Sequence, residues 1–283
     1  MAVDSTTANT LIQEQVANFL VEPLTAASVV LGATPGPTTF VSSEPLRIPT
    51  MAGTFNPSWV GENEKIPDDE SADFGEIELM PTARKSIKTI VRVSNELIRM
   101  ATVGVSSVLQ NRVVADVRDK LDTALLMGDG VDDTVTGILE QPGVETAPLD
   151  LADPDTILDG LAWLAGNEIT PNRLIMNGTD FFAVRKLKDA DGRGLLQSDL
   201  TGDATYRLHG VPVSVSNKVP AGRAVLADMS QIAVVRDEDA RVTILNERYA
   251  DFDQVGIRVV SRYDLGLIRP EGVLILDTAT AGA

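Results

Sequence analysis

The spacing of hydrophobic positions changes repeatedly along this chain, and each change predicts an element. From Thr6 to Val30, residues Leu11, Ile12, Val16, Phe19 and Leu20 fall at helical spacing, and the Gly- and Pro-rich run at 32–39 then ends the pattern. A lone helix of that length is marginal in water, so the segment reads as an arm that needs a neighbour. Residues 46–93 hold short alternating runs, Glu76-Ile77-Glu78-Leu79 and Ile87 to Val93, around a Gly-, Pro- and acid-rich centre. That pattern predicts a β-ribbon with a polar tip, and a ribbon by itself is unstable without a supporting surface.

A long helix comes next. Ser107 with Gln110 fits a capping box, and Val114, Val117, Leu121, Ala124 and Leu125 make one apolar stripe down to Met127. On the opposite side, Arg112 to Asp116 and Asp116 to Lys120 have ion-pair spacing, worth only ~0.2–0.5 kcal/mol each. From Asp153 to Tyr249 the periods alternate. A helix capped by Asp153, with Pro154 first and Ile157, Leu158, Leu161 and Leu164 inward, precedes the strand RLIMN and a helix over Thr179–Leu187. GVPVSVS, RAVLAD, IAVVRD and RVTILNE then read as strands, and Val255 to Leu276 has long β character punctuated by Arg269-Pro270. The fold class is α+β.

Composition narrows the chemistry. The chain has 283 residues, 43% of them hydrophobic, and a formal charge of −17 from 24 basic and 41 acidic side chains. The first 46 residues carry no Lys or Arg, which excludes a basic nucleic-acid arm there. With no cysteine there is no thiolate nucleophile or disulfide framework, and the one histidine, His209, lies in a turn before a strand. The N-terminus lacks the pattern of a secretory signal, and no apolar run reaches the ~18 residues of a membrane span, so the protein is expected in the cytoplasm when made.

The run MGDGVDDTVTGIL, Met127 to Leu139, has the composition of a binding loop. A phosphate cradle needs a following Lys and a helix N-terminus, but Gly128-Asp129-Gly130 sits at a helix C-terminus among acids. As a calcium loop, Asp129, Asp133 and Glu140 fit, whereas Val131 and Thr134 occupy a ligand position and the glycine position. The expectation is a helix stop and hinge, with Gly128 or Gly130 in the left-handed conformation and Asp132-Asp133 turning the chain.

An ordered set of motifs then resembles one family. Trp59-Val60-x-Glu62, Ile66-Pro67, an aromatic with an alternating strand, Val93-Ser94-x-Glu96-Leu97, the long helix, and Gly-Asp-Gly leading to Thr136-Gly137-Ile138-Leu139 look like the major capsid proteins of tailed bacteriophages, with the Hong Kong 97-like fold. MNGTDFFAVRKLKDADGRGLL, LHGVPV and SRYDLGLIRPEG continue the resemblance in order and spacing, from about residue 40 to the C-terminus.

The resemblance implies an N-terminal arm and lead-in at 1–45, an extended loop at 46–88 and a peripheral domain with the spine helix at 89–130. An axial domain at 131–245 and return strands of the peripheral domain at 246–283 complete it. It implies a structural subunit that joins other copies in hexamers and pentamers of an icosahedral shell around double-stranded DNA, made in the host cytoplasm and ending in the virion. DNA would be contacted non-specifically, which suits an acidic wall. A separate scaffolding protein and a portal are expected, with a decoration protein as a further partner and no membrane, metal or cofactor.

Assembly-interface candidates are Trp59, Glu62, Lys65, Phe74 and Glu76. Trp59 has two readings, packing on the ribbon's own base or anchoring in an adjacent subunit. Some members of the family join subunits by a Lys–Asn isopeptide bond promoted by a glutamate. Here the corresponding places fall at about Glu76, Asp253 and Val260, so the shell is expected to hold without covalent links. A Lys65–Asn246 pair is the alternative and matches nothing in the family pattern. Two other functions compete: an encapsulin-type compartment shell, and a hydrolase using Asp129, Asp132, Asp133 and Glu140.

Overall fold

The computed structural model describes residues 28–52, 58–65, 73–80, 85–94, 96, 105–187, 206–237, 241–245 and 247–282. Of residues 51–52, 73–74, 105–111, 114, 241, 242, 244, 250 and 281–282 it describes the backbone alone. The predicted arm helix therefore lies outside the described residues up to position 27, as do Ile66-Pro67, Leu97, residues 188–205 and Asn246.

A six-stranded sheet forms the centre. In chain order its strands are β5 (Glu145–Pro148), β6 (Arg173–Met176), β7 (Arg207–Leu208), β8 (Val211–Val215), β9 (Arg223–Ala227) and β14 (Val273–Asp277), arranged β5-β14-β9-β6-β8-β7. Successive strand residues point to opposite faces, and the sequence uses both. Ile175, Val225, Val273 and Ile275 join a core with the long helix α1 (Val105–Met127), while Leu174, Met176, Leu226, Leu274 and Leu276 join a second core with α2 (Asp155–Gly166) and α3 (Gly178–Arg185). Gly160 lets α2 approach, since a Cβ there would lie 3.1–3.7 Å from Leu276, Leu274 and Leu226. Ile157 and Leu164 face this sheet and are buried. Leu158, expected inward, is 41% exposed because it is turned about 100° from Ile157 on the helix.

Two smaller sheets complete the body. β1 (Thr38–Val41) pairs parallel with β10 (Ile232–Arg236), which pairs antiparallel with β13 (Tyr263–Leu267). β4 (Ile87–Ser94) and β11 (Arg241–Leu245) flank β12 (Gln254–Ser261). These pairings group three segments by hydrogen bonding rather than by order along the chain. Ile87 and Lys88 belong to β4 and pair with β12, while the described pairing of the ribbon ends at Leu79. β11, expected in the 131–245 unit, joins β4 and β12. β14, expected to return with the strands after 245, lies inside the six-stranded sheet. Pairing partners are distant in sequence, and hydrophobic alternation identifies a strand without identifying its neighbour.

The long helix is apolar on the predicted stripe, with Val117, Leu121 and Leu125 buried. It starts at Val105, so Ser107 lies inside the first turn and the capping box is not its start. A side-chain cap is worth only about 1 kcal/mol, and further helix hydrogen bonds outweigh it. The Arg112–Asp116 pair forms at 3.1 Å between exposed side chains and adds little.

Candidate assembly surfaces

The ribbon consists of β2 (Leu46–Ala52) and β3 (Asp73–Leu79), paired antiparallel from Leu46↔Leu79 to Ala52↔Asp73. Its base is fixed to the body. Leu79 and Met80 are buried with Ala233 and Val235, and Phe40, Leu46, Ile48, Ile77 and Ile268 pack around them. Gly266 on β13 makes room, because a Cβ there would stand 2.6 Å from Leu79 Cδ2. The carboxylate of Asp264, 2% exposed, accepts the Met80 N–H at 2.7 Å and pairs with Lys85 Nζ at 3.0 Å. Met80 takes φ 54, so this contact holds a residue at the ribbon's exit in an uncommon backbone conformation.

The far end is different. Trp59 is 105% exposed, and Glu62 and Lys65 are exposed beside it. Gly61–Glu64 forms a compact turn: Glu64 N–H donates to the Gly61 carbonyl at 3.2 Å and Glu64 Oε2 accepts from Gly61 N–H at 3.1 Å. The reading in which Trp59 packs on the ribbon's own base is therefore overturned, and a large indole stands bare on the isolated chain. Glu76 is exposed and pairs with Arg47 at 3.4 Å, whereas Phe74 is placed opposite Met51 by its backbone alone. The tip candidates Trp59, Glu62 and Lys65 share one region, and Glu76 and Phe74 lie in the paired strands below it.

The loop after α1 closes the end of the helix by backbone contacts. Gly128 N–H donates to Ala124 O at 2.9 Å, completing the helix, and Gly137 N–H returns to Gly128 O at 2.7 Å. A Cβ on Gly128 would lie 1.8 Å from the Val135 carbonyl oxygen, and one on Gly137 would lie 2.5 Å from the Gly128 and Met127 nitrogens. Gly130 takes φ 71, and Asp132 and Asp133 take φ 51 and 60. Thus Gly130 supplies the left-handed residue and Gly128 the close approach. Asp129 Oδ1 accepts from Thr134 Oγ1 at 2.8 Å and Val131 N–H at 3.1 Å, and these bonds hold its carboxyl below the usual range. Glu140 pairs with Arg223 at 3.6 Å. Among the described residues no group of three or more His, Asp or Glu could hold a metal ion.

The residues implied for covalent linking are also placed. Glu76 is on the ribbon, Asp253 takes φ 48 before β12, and Val260 lies within β12 opposite Lys88 and Arg241. Of the Lys65–Asn246 alternative, Asn246 is outside the described residues. His209, with φ 48, and Gly210, with φ 85, form the two-residue turn between β7 and β8, the geometry of a type I′ hairpin.

Three anchoring groups escaped the sequence reading: Asp264, Lys85 and Asp122. Asp122 on α1 is 2% exposed and accepts from Ser28 Oγ and from Val29 N–H at 3.1 Å. Each acid sits within an apolar run, in Tyr263-Asp264-Leu265 and Leu121-Asp122-Thr123-Ala124-Leu125, and a buried carboxylate requires a donor elsewhere in the chain. That was the available signal.

Residues 8–278 match the model of the phage capsid family. The chain is 24% identical over 257 residues to the major capsid protein of Klebsiella oxytoca phage phiKO2, covering 81% of this chain and 59% of that protein. It is 22% identical over 241 residues to the major capsid protein of Halomonas phage phiHAP-1, covering 83% of this chain and 38% of that one. The matched region thus spans less than two thirds of either relative's length. In structure the chain resembles the capsid of the native GTA particle, with TM-score 0.69, 19% identity and coverage of 85% and 87% of the two chains. It also resembles a solved structure from Mycobacterium phage Cain, with TM-score 0.67, 18% identity and coverage of 88% and 90%. The shared fold is Hong Kong 97-like. The chain belongs to the phage capsid family.

Proposed function

We propose that the chain is a structural major capsid subunit whose copies assemble as hexamers and pentamers into an icosahedral phage head enclosing double-stranded DNA. The observation that carries this reading is the ribbon, which is latched at its base by Asp264 and ends in a fully exposed Trp59. A bare indole at the end of a two-stranded ribbon has large apolar area to bury, and obligate interfaces between copies commonly bury more than ~2,000 Å². Trp59, Glu62, Lys65, Phe74 and Glu76 form the interface side of the ribbon in this reading, and Gly128-Asp129-Gly130 the hinge between the spine helix and the axial part.

Residues 1–45 serve as arm and lead-in, the ribbon as extended loop, and α1 as the spine of the peripheral part. The six-stranded sheet with α2 and α3 is the axial part, while β4, β11 and β12 belong to the periphery. Scaffolding protein, portal and decoration protein are separate partners, DNA meets the acidic wall without sequence preference, and assembly takes place in the host cytoplasm. The phage relatives disfavour an encapsulin-type compartment.

Electron microscopy of the purified protein tests the reading. Closed shells of uniform size are expected, and a protein that stays monomeric under all assembly conditions would overturn it.

A further inference from the structure

The sheet of β4, β11 and β12 turns one face to α1 and the other outward. Residues directly opposite one another in an antiparallel pair share a face, so the register sorts the outward side chains into three rows: Lys88 with Val260, Ile90 with Arg258 and Thr243, and Arg92 with Gly256 and Leu245. The alternate positions lie inward, where Val93 and Val259 are buried and Ile87 packs against the core that includes α1. Lys88, Arg92 and Arg258 are exposed, as is Arg248 in the turn that follows β11. The guanidinium carbons of Arg92 and Arg248 stand 4.8 and 5.7 Å from the centre of the Tyr249 ring. That ring fits over Gly256, where a Cβ would come within 2.7 Å of it. Arg258 donates to Thr243 Oγ1 at 3.4 Å. No Asp or Glu occupies the three rows. Among the described residues none of the four cations has an ion-pair partner, and Glu247 and Asp251 in the adjoining turn supply none.

We propose that this face binds the sugar–phosphate backbone of nucleic acid without reading its sequence, and that it is where the chain meets packaged DNA. The formal charge of the chain is −17, and this patch has the opposite sign. At physiological salt, where screening sets in over ~8 Å, distant acids do little to cancel it. The aromatic and hydroxyl contacts hold the guanidiniums in place without neutralising them. From Lys88 to Arg92 the face runs about 13 Å along β4, a length over which duplex DNA presents several phosphates. The surface also decides the class of partner. Within the rows Ile90 is the exposed large apolar side chain, with Val260 and Leu245 half-buried, so the face offers cations rather than the apolar centre of a protein–protein interface. No single segment of the sequence shows the patch, because its members alternate with apolar residues on strands far apart in the chain. The inference rests on the proposed enclosure of DNA, but binding is read on the chain in solution, so its failure would leave the shell reading standing.

The experiment measures binding of a fluorescein-labelled duplex of random sequence to the full-length protein by anisotropy, from ~50 to ~200 mM salt. Salt-sensitive binding is expected, with log affinity falling against log salt at roughly −0.9 per phosphate neutralised. Lys88→Gln with Arg258→Gln should reduce that steepness by about 2. Lys88→Glu with Arg258→Glu should abolish binding with an unchanged circular-dichroism spectrum, and Lys88→Arg with Arg258→Lys should retain it. Lys186→Glu with Arg207→Glu, which changes the net charge equally at exposed positions elsewhere, should bind as the parent does. No binding by the parent, salt-independent binding, or equal loss in the two glutamate variants would each overturn the proposal. So would a face variant that keeps DNA binding but no longer associates with other copies, since the face would then belong to the acidic ribbon of a second subunit.

Discussion

Asp264 receives the backbone N–H of Met80 at 2.7 Å across the base of the ribbon, and its other oxygen holds Lys85 at 3.0 Å. Asp264→Ala leaves the Met80 N–H and the largely buried Lys85 ammonium without their acceptor, which we expect to cost about 3 kcal/mol. Asp264→Asn keeps an acceptor for Met80 and should cost clearly less. Urea denaturation of the two variants beside the parent protein measures the order. Equal losses would mean that the Met80 contact contributes nothing.

The glycines after α1 make different demands and should fail differently. Gly130→Ala places an alanine at φ 71 beside the Thr136 hydroxyl, a side-chain tip that can turn away, for about 1–2 kcal/mol. Gly128→Ala drives a methyl into the Val135 and Ala124 carbonyls, and backbone cannot swing aside. We expect a loss on the order of 3 kcal/mol or more. Thermal melts that rank Gly130→Ala as the worse variant would contradict this account of the loop.

Asp122 predicts a pH dependence. Burial raises its carboxyl above the ordinary value of 3.8, against the opposing effect of the hydrogen bonds from Ser28 and Val29. The folded chain therefore keeps this proton to higher pH than the unfolded chain. Its contribution to stability is complete below about pH 3.8 and declines as pH rises through the raised folded value. Asp122→Asn cannot titrate. The stability difference, variant minus parent, should accordingly move in the variant's favour between pH 4 and pH 7. Denaturation curves at those two pH values giving the same difference would show that the carboxyl titrates alike in both states.

The assembled protein should contain no covalent bond between subunits. Glu76 has no amine nucleophile, Asp253 as a carboxylate resists attack, and Val260 accepts no proton. Particles boiled in detergent and run on a denaturing gel should give one band near 30.2 kDa. A ladder of multimers would sink the claim.

Local pattern carried much of this structure. Alternation around Glu76–Leu79 marked an outward and an inward face on the ribbon, and the stripe Val117-Leu121-Leu125 marked the buried side of α1. The composition of the Gly128–Gly130 run marked a stop. What pattern does not contain is pairing. Nothing local in Val273–Asp277 says that it lies between β5 and β9, and nothing in Asp264 names Met80 as its donor, since both facts depend on chain brought together from far away. Among the site candidates, the exposure of Trp59 was decided by the absence of any packing partner within the described chain, which no window around residue 59 contains.

The position of β14 also sets a schedule. It lies between β5 and β9 in the six-stranded sheet, pairs with both, and has every residue buried, yet the ribosome makes it after all the other strands of that sheet. Until it emerges, two open edges face the growing chain, and both cores lack the side chains that β14 contributes. A nascent subunit is thus unfinished at its centre while its ribbon, with Trp59, has already been synthesised. The order of synthesis leaves the centre of the six-stranded sheet to be filled last, by a strand whose every residue is buried.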